Sequence, residues 1–150
     1  KIKAGEFKLN LVAGVRPEVK KYFVEQMEIN GIKESDGVKI IFAPEKIDYF
    51  KAFNLCLRET DILWTKPSEL SFYVALGLPI IISEPVGSQE DFNREWLLAL
   101  GAGIDSLDPE YVNEWLPDML ESGQLVRAAI DGFLNAEQMG TYNIEKIINQ

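Results

Sequence analysis

Leu78-Pro79-Ile80-Ile81-Ile82-Ser83 is a β-branched run with no polar alternation. A strand with one wet face alternates, so this one reads as a central parallel strand covered on both faces, and helices are expected on both sides of it. Working outward, Gly77 ends a helix that Pro67 opens and that carries Leu70, Phe72, Tyr73, Val74 and Leu76. Before that helix, Asp61-Ile62-Leu63-Trp64-Thr65 is a short apolar strand. On the other side, Ser88 with Asp91 three residues later resembles a capping box. Phe92, Trp96, Ala99 and Leu100 then mark a buried helical stripe, and a strand is expected over 103–107 after Gly101.

The N-terminal part repeats this unit. Residues 7–15 read as a strand, followed by a helix with Pro17 in its first turn, Val19, Tyr22, Phe23 and Met27 on its inner face, and Gly31 as its stop. Residues 38–43 form a second strand, and Ile47, Phe50, Phe53 and Leu57 mark the next helix. From Asp108 onward the pattern is helical, with interruptions expected at Pro117, Gly123 and Gly140. Alternating strands and helices with short links specify an α/β fold: an open parallel sheet of about five strands, Rossmann-like, with helices on both faces. The simplest strand order is 2-1-3-4-5. Its switch point lies between the first and third strands, so a ligand crevice is expected between the loops 14–18 and 65–69.

The 150 residues suit a single domain, and 47% hydrophobic with 26% charged residues is the composition of a folded chain. A net charge of −9, with no basic run longer than Lys20-Lys21, argues against nucleic acid as a partner. There is no His and one Cys, which removes Ser-His-Asp and Cys-His catalysis, His-based zinc sites and intrachain disulfides. Neither a metal nor a cofactor is called for, and a reducing, cytoplasmic compartment is expected. The longest apolar stretch, 75–82, is broken by Gly77 and Pro79 and falls short of the roughly 20 residues of a membrane span. The first residues, Lys1-Ile2-Lys3-Ala4-Gly5, include no initiating Met and no signal-peptide core, so the chain is expected to be a piece of something longer.

Chemistry is expected where strands end. At Thr65-Lys66-Pro67-Ser68-Glu69 free backbone N–H groups, two hydroxyls and an ammonium converge, which suits an anion; the alternative is an ordinary helix cap with a solvated Lys66. Gly14 and Arg16 face the same expected crevice as phosphate-binding candidates, although a single Gly is not a dinucleotide fingerprint and Arg16 also reads as a solvated side chain. Gln89 and Asn93 share one helix face and offer amides suited to sugar hydroxyls, while Glu90 and Arg94 share another, where a surface ion pair is the alternative. Cys56 is read as a packing residue, and Trp64, Trp96 and Trp115 as core.

Taken in order, the stretches 60–67, Ala75-Leu76-Gly77-Leu78-Pro79-Ile80-Ile81, Gly87-Ser88-Gln89-Glu90 with Asn93, and Gly101-Ala102-Gly103 resemble the C-terminal domain of GT-B glycosyltransferases. The pattern is similar to that of monogalactosyldiacylglycerol synthase and of the N-acetylglucosaminyl transferase of peptidoglycan synthesis, and it spans about residues 38 to 104. The resemblance implies a nucleotide-sugar donor of UDP type as partner, with its diphosphate at Thr65 to Ser68, that is at Thr65, Lys66 and Ser68, its sugar near Gln89, Glu90 and Asn93, and Glu69 also among the substrate-binding residues. It also implies an N-terminal Rossmann-like domain outside these residues, without which the active site and its catalytic base are incomplete. Phe72 stands where the family has a ribose-binding Glu. That residue, the Gly-poor loops and the acidic charge carry the alternative: a glycosyltransferase-like interaction or regulatory module without catalysis.

Overall fold

A computed structural model describes residues 1–68 and 70–149, and the chain divides into two compact units, 1–60 and 61–150. In the first unit β1 (Leu9–Gly14) is followed by α1 (Pro17–Ile29), β2 (Val38–Phe42) and α2 (Lys46–Leu57). β1 and β2 are parallel, with Leu9 opposite Val38 and a shift of register between Val12 and Gly14. Pro17 opens α1 as expected, because its fixed φ suits a helical first turn and the N–H it lacks would have no partner there. The buried apolar residues of this unit are Ala13, Met27, Val38, Ile41, Ala43, Cys56 and Leu57.

On α1 the expected face is observed at Val19, Phe23 and Met27, and only Tyr22 is exposed; on α2 Phe53 and Leu57 are turned inward as expected, while Ile47 and Phe50 are exposed. On α2 the less exposed positions are Tyr49, Ala52, Phe53, Cys56 and Leu57, a stripe at helical spacing that overlaps the one read from the sequence at Phe53 and Leu57. The helix is apolar on both stripes, so periodicity alone admits either.

The second unit holds β3 (Leu63–Thr65), α3 (Leu70–Ala75), β4 (Ile80–Ile82), α4 (Ser88–Leu100) and β5 (Gly103–Asp105), then α5 (Val112–Glu121), α6 (Gln124–Asn135) and α7 (Gly140–Ile148). Its sheet is parallel in the order β3-β4-β5, with Leu63 beside Ile80 and Ile80 beside Gly103. The α/β class and parallel pairing are as expected. Of the order 2-1-3-4-5, the pairs 2-1, 3-4 and 4-5 occur, in one sheet of two strands and one of three.

β4 is the central strand that its sequence describes. Ile80, Ile81 and Ile82 are each at most 2% exposed. Successive strand residues point to opposite faces, so one face takes Ile80 and Ile82 with Leu70, Val74, Leu97 and Ala102. Ile81 packs on the other with Trp115, Met119 and Leu125. At roughly 25 cal/mol per Å² of apolar surface, a fully buried isoleucine contributes about 1.5–3 kcal/mol, so this tripeptide is a large share of what holds the unit together.

The helices correct several readings. The buried residue of α4 is Leu97, while Phe92 is 70% exposed and Trp96 39%. α4 is not closed by a Ser88–Asp91 box; Gly87, at φ +88°, precedes its first residue, and neither Ser88 nor Gly87 caps it by a side-chain bond. α5 runs through Pro117 without the expected break, whereas the expected interruption near Gly123 is observed, with φ of Gly123 at +74°, and the last break falls at 136–139, so that Gly140 is the first residue of α7. Trp115 is core, but Trp64 and Trp96 are each 39% exposed. Cys56 is buried, as read.

Candidate functional site

The C-terminal ends of β3, β4 and β5 gather the polar groups of the second unit. The backbone N–H of Ser83 donates to the carbonyl of Thr65 at 2.9 Å and that of Ser106 to Ile82 at 2.9 Å, so the hydrogen-bond ladder runs one step past each strand and fixes both serines at the edge. Just beyond Thr65, the Lys66 ammonium donates to the Glu84 carbonyl at 2.9 Å and stands 3.9 Å from the Glu90 carboxylate. The Lys66 side chain remains 49% exposed. One hydrogen bond leaves two of its three N–H donors for a ligand or water.

Glu90, in the first turn of α4, accepts from the Val86 N–H at 2.6 Å. It thereby closes the loop that leads into the helix, in place of the expected Ser88 cap, and its charge sits where the helix dipole favours it. Asn93, one turn further, uses its amide nitrogen to hold the carbonyls of Pro67 at 2.9 Å and Ser68 at 3.3 Å. Asn93 lies on the inward side of α4 because it is four residues before the buried Leu97. Gln89 and Ser68 are exposed. Pro67 is buried and forms, with Ser68, a turn before α3, whose described residues begin at Leu70; the expected helix start at Pro67 is not observed. Glu69 lies outside the described residues.

Thr65, Lys66, Ser68, Glu90 and Asn93 therefore form one connected cluster with Gln89 at its margin. Gly14 and Arg16 belong to the first unit. Gly14, at φ +66°, ends β1, and Arg16 is the exposed residue before the first turn of α1.

Arg94 does not pair with Glu90, its neighbour at helical spacing. It forks onto Asp105 at the end of β5, with Nε 2.6 Å from Oδ1 and a second nitrogen on Oδ2. The hydrogen bond to Asp105, and then its charge, raise the pKa of the guanidinium above its ordinary value. Sequence spacing could not have shown this pair, since the partners are eleven residues apart on different elements. Beside it lies a cleft of about 720 Å³, lined among others by Trp64, Ser83, Glu84, Arg94, Asp105 and Ser106. Among the described residues no group of three or more metal-ligating side chains occurs, and no helix is long and apolar enough to cross a membrane.

Residues 11–148 match a family described as a domain of unknown function (DUF6938). No curated protein and no solved structure matches the chain.

Proposed function

We infer that this chain, which belongs to the domain-of-unknown-function family DUF6938, is the nucleotide-sugar-binding domain of a GT-B-like glycosyltransferase that uses a UDP-type donor. On this reading the fold is a Rossmann-like domain of the GT-B C-terminal type, working in the cytoplasm with a second, N-terminal Rossmann-like domain. The observation that carries it is Lys66: a half-exposed ammonium fixed at the C-terminal end of a parallel strand by the Glu84 carbonyl, next to the first turn of α4. Open α/β sheets bind ligands at that edge. Lys66 and the Thr65 and Ser68 hydroxyls would hold the donor diphosphate, and a positive charge aimed at a leaving diphosphate stabilises charge that grows in the transition state. Gln89 and Glu90 would meet the sugar. Asn93 acts as a positioning residue, since both its contacts hold the loop that carries the phosphate-binding groups.

Titration with UDP, UDP-glucose, UDP-galactose and UDP-N-acetylglucosamine, read by thermal shift, tests this reading. A ligand at a hundred times its dissociation constant adds about 2.7 kcal/mol. Lys66→Ala is expected to weaken UDP and UDP-sugar alike, and Gln89→Ala only the UDP-sugar, because free UDP lacks the hydroxyls that Gln89 would bond. No shift with any nucleotide would favour the second reading, an interaction or regulatory module that has lost donor binding. Phe72 supports that alternative: it is 57% exposed and stands where the resemblance calls for a ribose-binding Glu.

A further inference from the structure

We propose that the cleft between Trp64 and the Arg94–Asp105 pair is a saccharide-binding site, separate from the residues assigned to the donor. Its first component is an apolar platform. Trp64 is 39% exposed, and its ring is set edge-on against Trp115, 5.3 Å away and buried, so the indole is held in place before any ligand arrives. The second is a rigid polar edge. Arg94 spends two of its five N–H donors on Asp105, which leaves donors and carboxylate lone pairs side by side in one plane. Adjacent sugar hydroxyls both donate and accept, and so match such a plane. The third is the pair of hydroxyls of Ser83 and Ser106, whose backbones the strand ladder fixes.

Charge selects among ligands. The cleft is lined by Glu84, Asp105 and Asp108 against the single cation Arg94, which is already neutralised by its partner. A phosphate or other anion is repelled there. A small ammonium has donors only and would leave the free guanidinium N–H groups unmatched. A neutral polyol with one apolar face satisfies the platform, the plane and the hydroxyls together. The proposal stands whether or not the domain binds a nucleotide sugar.

The test uses the full chain with free glucose, galactose, N-acetylglucosamine and their methyl glycosides, without nucleotide, followed by saturation-transfer NMR and tryptophan fluorescence. At least one sugar is expected to bind saturably. Asp105→Asn should weaken it about 10- to 100-fold, the range for loss of a hydrogen bond to a charged group, and Ser106→Ala about 2- to 10-fold. Ser106→Ala removes one edge hydroxyl and keeps the test decisive if Asp105→Asn unfolds, as unfolding midpoints would reveal. The proposal is overturned if no sugar binds, if binding is unchanged in the folded variants, or if ethanolamine or inorganic phosphate binds in place of the sugars. UDP titration of the same samples separates this outcome from failure of the donor reading.

Discussion

Arg94 has an acidic neighbour one turn back on its own helix, yet it reaches across to β5. A single contact between flexible side chains at i,i+4 is worth a few tenths of a kcal/mol, whereas a fork of two parallel bonds to one carboxylate is both stronger and more directional. Because Asp105 raises the Arg94 pKa, the charge on Arg94 is present at every pH below the ordinary arginine range and is lost only above it. Alkaline titration to about pH 10 is therefore expected to leave the guanidinium charged, which the Arg94 Cζ chemical shift would report. Arg94→Lys keeps the charge but not the fork, and a lower urea midpoint is the expected result. Asn93→Ala tests a different contact: losing the tether to Pro67 and Ser68 should cost about 1 kcal/mol in denaturant unfolding. An unchanged midpoint would mean that water replaces the amide at no cost.

Elements were legible where one physical signal dominated. Ile80–Ile82 could only be a covered strand, and it is. Pro17 and Gly77 marked a helix start and stop through constraints on φ and on the N–H, with Gly77 at φ +76°. Faces of helices were less legible. On α4 the large aromatics Phe92 and Trp96 outweigh Leu97 in any hydrophobic pattern, but it is Leu97 that the sheet covers. Thr65, Lys66, Glu90 and Asn93 were visible as a candidate cluster because they flank strand ends; the bonds that hold the cluster were not, since Lys66 reaches the Glu84 carbonyl 18 residues on and Asn93 the Pro67 carbonyl 26 residues back. Close packing of elements yields its own prediction. A Cβ on Gly103 would lie 2.8 Å from the Ile82 Cδ1, and one on Gly132 would lie 3.1 Å from both Ala102 and Val74 side chains. Gly103→Ala is expected to cost about 1–3 kcal/mol by overpacking, measured by urea denaturation, and Gly132→Ala less, because alanine gains about 1 kcal/mol of helix propensity inside α6. Ile81→Ala, which opens a cavity beside Trp115, should cost about 2–5 kcal/mol.

At the scale of the molecule, size separates the two units. A stretch of about 60 residues buries only about 60% of its unfolded surface and is marginal alone. The unit 61–150 has core on both faces of its sheet. Expressed by itself, it is expected to melt cooperatively by circular dichroism, and a broad, non-cooperative transition would refute its independence. Strand order has a consequence for how this unit forms. In β3-β4-β5 each strand lies beside the next one made, so no later strand has to be threaded between two earlier ones. Loop closure then stays local, and chains with local contacts fold faster than those that must join distant segments. On the ribosome, β4 can add to β3 while β5 is still being synthesised, and assembly can keep pace with translation.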